Sequence, residues 1–198
     1  GVQTCALPIF EEIVVTGTRV QRDGYQAPTP LTVIGVEQIE ANAPTNLADF
    51  VNQMPEITGS ATPQTSNSSI SSGTAGINTL NIRGLGAVRS LVLLDGQRTV
   101  GSVITGEADV NTFPQALVSR VDVVTGGASA VYGSDAVSGV VNFVLDKKFT
   151  GIKGEVSGGV TTYGDDRNWK VSLTAGLPFA ADRGHVLLSG EEIGRAHV

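Results

Sequence analysis

The sequence predicts an α+β domain, built on a small mixed sheet with short helices, followed by a run of antiparallel strands. Three observations carry this. Short β-prone runs separated by turn formers, with 25 glycines among 198 residues, describe a turn-rich chain on a β framework. One segment has helical periodicity instead: Leu47, Phe50, Val51 and Met54 fall at i, i+3, i+4 and i+7. Beyond Thr150 the pattern becomes strict apolar/polar alternation, the period of a strand with two unlike faces.

Composition narrows the function classes. At 40% hydrophobic and 16% charged, the chain can bury a core. Thirteen Lys and Arg against 19 Asp and Glu leave a net charge of −6, which argues against a nucleic-acid partner, since phosphates call for a basic face. A single cysteine excludes an internal disulfide framework. No Cys/His group has the spacing of a zinc site, so neither metal nor cofactor is expected. Apolar runs such as Leu91–Leu94 are far too short for a membrane-spanning helix.

Glu11–Gly17 is a short β-prone run, and Arg19–Pro30 is polar and turn-rich, a tether. Leu31–Ile34 reads as a strand and Val36–Ala41 as a brief helix that Pro44 ends. Thr45 is placed to cap the amphipathic helix that follows, and Pro55 stops it. In Ser60–Thr79, 16 of 20 residues are Ser, Thr, Asn, Gln, Gly or Pro and none is charged, which predicts an exposed loop. A strand at Leu80–Ile82 leads into Arg83-Gly84-Leu85-Gly86. Ser90–Leu94 and Gln97–Val100 flank Asp95-Gly96, the strongest hairpin signal in the chain. A second polar loop covers Gly101–Asn111, Pro114 opens a short helix, and Arg120–Thr125 is a strand. A glycine-rich corner, Gly126–Gly139, then leads to the apolar strand Val140–Leu145.

After a boundary near Thr150, Ile152, Gly154, Val156, Gly158 and Val160 take one face of a strand, opposite Lys153, Glu155, Ser157, Gly159 and Thr161. Trp169, Val171, Leu173, Ala175 and Leu177 repeat this against Lys170, Ser172, Thr174 and Gly176, and His185–Gly190 begins a third strand. Alternating segments of this length fit outer-membrane barrel strands and equally a soluble sheet with one wet face.

The two ends read as foreign to the rest. Residues 1–9 and 192–198 resemble translated sequencing-adapter DNA and are set aside, along with Cys5 and His197, which makes the chain an internal piece of a longer protein.

The interior motifs resemble those of TonB-dependent outer-membrane receptors. Glu12-Ile13-Val14-Val15-Thr16-Gly17 resembles a TonB box. Asn81-Ile82-Arg83-Gly84-Leu85-Gly86 and Leu91–Arg98 resemble the middle of that family's plug domain. Val118–Gly127, Ala128–Gly133 and Val140–Leu145 resemble its closing motifs, although Thr125 and Gly127 stand where many members carry a basic residue and a proline. The resemblance implies a TonB box and tether over 10–27, a plug over 28–150, and over 151–191 the first antiparallel strands of a transmembrane β-barrel in a Gram-negative outer membrane.

That resemblance implies uptake of a scarce ligand of the siderophore, cobalamin or oligosaccharide class, energised by the partner protein TonB. Glu12, Ile13, Val14, Val15, Thr16 and Gly17 would bind TonB by adding a strand to its sheet edge. Arg89, Arg98, Thr99 and Ser102 are candidate ligand contacts, and Arg83, Gly84, Asp95, Gly96, Arg120, Gly126 and Gly133 shape or gate the plug. Arg120 in particular would pair with acids of the barrel wall. Ile152, Val156, Val160, Val171, Leu173 and Leu177 would face lipid; Lys153, Glu155, Lys170 and Thr174 would face the lumen; Trp169 and Phe179 would sit in aromatic girdles.

An enzyme is not expected. Gly126–Ser134 lacks the Gly-Lys-Ser/Thr of a phosphate loop, Gly84-x-Gly86 lacks a third glycine, and Ser129 lacks the second flanking glycine of a nucleophile elbow. The rival is a soluble periplasmic binding module whose last strands form a small sheet.

Overall fold

The computed structural model describes residues 30–42, 44–66, 70–163, 166–179 and 183–197. Ahead of Thr150 lies a five-stranded sheet formed by β1 (Leu31–Gly35), β2 (Ser90–Leu94), β3 (Gln97–Arg98), β4 (Val118–Val124) and β5 (Gly139–Leu145). Its spatial order is β1-β4-β5-β2-β3, with β2 and β5 parallel and the other pairs antiparallel, so the expected mixed sheet is present.

With Asp122 and Asn142 as buried polar exceptions, the central strands are mostly apolar on both faces because both are covered. On one, Val92, Val121, Val123, Val141 and Phe143 pack with Leu47, Ala48 and Val51 of helix α2 (Leu47–Asn52), and Phe113 meets Phe143 edge-on at 5.2 Å between ring centres. On the other, Leu91, Leu93, Val124 and Val140 pack with Ala128 and Ala136 of the glycine-rich corner. Helix α1 (Val36–Asn42) buries no residue and sits over the edge strand β1.

Asp95 and Gly96 join β2 to β3 with φ of 52° and 75°, the pair of left-handed residues that a tight hairpin turn requires. The turn is docked on β5: Asp95 N–H donates to Phe143 O, Gly96 N–H to Asn142 Oδ1, and Leu145 N–H to Asp95 Oδ1. Gly139 opens β5 at φ +147°, where a Cβ would drive into the carbonyl oxygen of Val124 and lie 2.9 Å from Ile82 Cδ1.

Several expectations are corrected. Asn46, not Thr45, caps α2: its side chain accepts from Ala48 N–H at 2.8 Å, because Thr45 lies one residue too early. Leu80–Ile82 is buried but is no strand; Ile82 makes a single bridge to Ile57. Ser60–Thr79 is not simply an exposed loop. It holds the one-turn helix α3 (Pro63–Ser66) and buries Ser66, Ile77, Asn78 and Thr79, whose polar groups find partners inside the fold. β3 is also shorter than the pattern suggests.

Beyond Thr150, β6 (Gly151–Val160), β7 (Asp166–Phe179) and β8 (Gly184–His197) form an antiparallel sheet in sequence order. Strand β7 starts earlier and β8 runs longer than the sequence pattern suggests, since pairing carries Asp166 and His197 into the ladder. Register puts Gly154, Leu173 and Gly190 in one row and Lys153, Thr174 and Ser189 in the next, so the alternation of the sequence becomes two faces. From Glu192 onward the pattern inverts: Glu192 shares the face of Val171, and Ile193 that of Lys170.

Replacing Phe143 by alanine should cost the domain about 3–5 kcal/mol, the range for truncating a fully buried aromatic. Denaturant unfolding checks this, and a loss below about 1 kcal/mol would place Phe143 outside the core.

Candidate functional site

The three-stranded sheet is inside out relative to a soluble one. Ile152 and Val156 are about 80% exposed and Leu173 and Leu177 above half, whereas Lys170 is 6% and Thr174 1% exposed. The polar face is turned against the mixed-sheet domain, where β7 and β8 meet the 3₁₀ turn Gln115–Leu117. Lys153 Nζ lies 2.9 Å from Glu40 Oε1 on α1, Thr45 Oγ1 donates to Asn168 Oδ1 at 3.4 Å, and Thr150 Oγ1 meets His185 Nε2 at 3.1 Å. A cavity of about 230 Å³ runs through this seam, lined among others by Glu40, Gln115, Lys153, Glu155 and Lys170. Single, half-exposed ion pairs in such a place hold weakly, about 0–1 kcal/mol. On the outward face, Trp169 and Phe179 lie over glycines of β8, where a Cβ on Gly194 or Gly184 would strike the rings.

The residues singled out as shaping the domain fall into two groups. Arg83 adopts φ 57° and donates from Nη2 to Thr125 O at 2.9 Å, tying the Arg83-Gly84 turn to the end of β4. Gly84, at φ +68°, packs near Thr58, and Gly126 begins the corner next to Thr125. Asp95 and Gly96 form the docked hairpin turn, and Lys147 Nζ sits 3.5 Å from Asp95 Oδ2. Arg120 Nε meets Asp122 Oδ1 at 3.2 Å on its own strand. Among the described residues the ion pair that crosses to the outer sheet is Glu40–Lys153.

The four candidate ligand contacts are not brought together. Arg98 and Thr99 share a cavity of about 370 Å³ with Leu94, Gln97, Asp109, Thr112 and Phe113. Thr99 Oγ1 donates to Val92 O at 3.1 Å. Ser102 belongs to the loop beyond, where its Oγ accepts from Asp109 N–H at 3.0 Å. Arg89 lies elsewhere, bonded to Leu85 O, with its own carbonyl accepting from Ser138. Arg98 reaches across to the corner: Nη1 meets Asp135 Oδ2 at 2.5 Å and Nη2 donates to Tyr132 O, beside Gly133. The Arg98 hydrogen bond, aided by Ser134, holds the Asp135 carboxyl below the ordinary carboxylate range. Glu12, Ile13, Val14, Val15, Thr16 and Gly17 lie outside the described residues.

Sequence reasoning missed the polar knot joining the two long loops. Asn78, fully buried, donates from Nδ2 to Asp49 Oδ1 and accepts from Asn52 Nδ2. Its backbone N–H donates to Asp109 Oδ1, which also accepts from Asn111 N–H. Asn111 in turn receives Asn46 Nδ2. The available signal was Asp49, an isolated acid between Asn46 and Asn52, and Asp109, two residues before Asn111.

Residues 23–140 match the family model described as the TonB-dependent Receptor Plug Domain. The chain belongs to that family. Among solved structures, the siderophore receptor PirA of Acinetobacter baumannii matches at TM-score 0.61 and 26% identity, over 82% of this chain and 24% of that one. A mutant of the ferric enterobactin receptor PfeA of Pseudomonas aeruginosa matches at TM-score 0.57 and 26% identity, over 77% and 23% respectively. A second PfeA mutant, in complex with enterobactin, matches at TM-score 0.61 and 23% identity, over 83% and 24%. The chain thus spans about a quarter of the length of the receptors it resembles. In these terms the mixed sheet is the plug and β6–β8 match the start of the receptor barrel. Family and neighbours are receptors rather than enzymes.

Because the folded carboxyl of Asp135 titrates below its ordinary value, the Arg98 contact contributes above that value and fades as pH falls through the folded one. An NMR titration of the Asp135 carboxyl should give a depressed midpoint that Arg98→Ala raises towards the ordinary range, Ser134 keeping part of the depression. An unchanged midpoint in that variant would remove Arg98 as the cause.

Proposed function

We propose that this chain is the N-terminal part of a TonB-dependent outer-membrane receptor that takes up a scarce ligand, its plug closing the barrel lumen. The observation that carries this reading is the reversed sidedness of β6–β8. In a soluble module the apolar face would be buried and Lys170 would be wet; here Ile152 and Val156 look outward and Lys170 and Thr174 look toward the plug. That arrangement is stable where hydrocarbon lies outside and a hydrated lumen inside. The plug match and the likeness to siderophore receptors support a chelated-metal ligand first, with cobalamin and oligosaccharide next.

In this reading Glu12–Gly17 add as a strand to the edge of TonB's sheet, and the tether transmits force to β1, the edge strand of the plug. The thin set of polar contacts at the seam suits a plug that must shift and return. Arg98 and Thr99, which share a cavity, are the strongest of the four candidate ligand contacts, while Arg89 and Ser102 act by holding backbone.

Two variants of the full-length receptor separate insertion from energisation. Val156→Arg puts a charge on the lipid face at a cost of about 2–4 kcal/mol and should deplete the receptor from the outer membrane. Val14→Pro removes a ladder donor; it should leave the receptor in place but abolish TonB co-purification and ligand-dependent growth. Normal membrane levels of the arginine variant would contradict the barrel, and normal growth of the proline variant would contradict the TonB box.

A further inference from the structure

The six residues that lead from the plug to the wall, 145–150, are fastened at almost every step. Leu145 N–H donates to Asp95 Oδ1 at 2.9 Å, and Lys147 Nζ stands 3.5 Å from Oδ2 of the same carboxylate. Asp146 N–H donates to Leu117 O at 2.8 Å, and its own Oδ1 accepts from Lys148 N–H at 3.0 Å. Phe149 then crosses β7 so closely that a Cβ on Gly176 would strike its carbonyl oxygen. Thr150 Oγ1 reaches Lys148 O at 3.2 Å and His185 Nε2 at 3.1 Å, and Gly151 bends the chain into β6 at φ +112°. A flexible linker would leave these groups to water; this connector is a strut.

Asp95 anchors the plug side of this strut. The hairpin itself needs only a residue that accepts φ 52° there, and glycine or asparagine would serve as well. The carboxylate is surplus to the turn, and what it holds is the exit from β5. Position matters too. β1 and β5 run the same way on either side of β4, so Pro30, where the tether joins, and Asp146 lie at opposite ends of the sheet. Along β1 those ends are about 13 Å apart, four steps of about 3.3 Å. Helix α1 and the Gln115–Leu117 turn, which meet the wall, follow β1 and precede β4, and so they share the exit end.

We propose that Asp95 is a positioning residue for the plug: its carboxylate bolts the exit segment to the hairpin turn, so that the exit end stays seated on the wall while the far end moves under the pull of the tether. The inference rests on the receptor reading for the pull, and on the bonds above for the bolt. Lys147 is 68% exposed and the Asp95 side chain 16%, so the hold comes mainly from the enclosed hydrogen bond to Leu145 N–H rather than from the ion pair.

Two substitutions that keep the turn test this in the full-length receptor. Asp95→Asn retains an oxygen for Leu145 N–H and loses the charge, whereas Asp95→Gly tolerates the φ and loses both contacts. In detergent, hydrogen exchange of a peptide covering residues 144–149 should speed about tenfold in Asp95→Gly and less than about twofold in Asp95→Asn, with β1 unchanged. In cells, Asp95→Gly should admit a glycopeptide antibiotic that the wild type excludes, and only where TonB is functional, because the loosened plug is displaced when it is pulled. Unchanged exchange in Asp95→Gly would overturn the bolt. No leak, or equal leak with and without TonB, would overturn the positioning role, the second outcome marking a plug that is simply misfolded. The exchange result stands whether or not TonB acts on this receptor, and Val14→Pro reports on TonB separately, so the bolt and the receptor reading can fail independently.

Discussion

Among the described residues, Ile152, Val156, Leu173 and Leu177 are turned outward and left mostly exposed, and this apolar face is the constraint on which the rest depends. A three-stranded sheet with one apolar side could bury it by folding onto a core. This one turns its polar side to the core instead, with Lys170 and Thr174 almost wholly enclosed. Two consequences follow. The outer surface calls for a hydrocarbon solvent, in which open edges leave backbone groups unpaired, so β6 and β8 call for further strands. The inner surface calls for a polar, hydrated filling, to which the plug's α1, Gln115–Leu117 turn and Thr45 contribute.

The plug meets a different demand. It is a small domain whose core is a sheet covered on both sides, and its long loops are tied back by buried amides as well as by the buried Ile77 and Val110. Asn78 makes side-chain and backbone bonds to α2 and to the 109–111 turn at once. A buried amide paired at both its oxygen and its nitrogen, as Asn78 is, is specific about geometry, because losing one partner leaves another orphaned. Firm internal bonding with a weakly bonded rim supports the proposal of a plug that shifts as a unit.

Much of this was legible in the sequence. The alternation beyond Thr150 placed each of Lys153, Glu155, Lys170 and Thr174 on the face where register puts it, since a period of two leaves no freedom. Asp95-Gly96 announced its turn because few residue pairs tolerate two positive φ angles. The polar loop Ser60–Thr79 was misread because burial there depends on hydrogen-bond partners 29 to 31 residues away, which composition cannot register. Likewise Thr45 and Asn46 are both good caps, and only the geometry of the first turn chooses between them. For the site, sequence identified Arg98 and Thr99 as neighbours. It had no means of seeing that the guanidinium also reaches Asp135, 37 residues downstream.

The most direct test is a nitroxide scan of residues 151–160 in the full-length receptor, reconstituted in lipid, with collision rates for oxygen and for a water-soluble nickel chelate. Oxygen contact should peak at Ile152, Gly154, Val156 and Gly158 and fall at Lys153, Glu155 and Ser157, with a period of two residues. Nickel contact high at Ile152 and Val156, or no alternation at all, would contradict the barrel wall and with it the plug that β6 and β7 are taken to enclose.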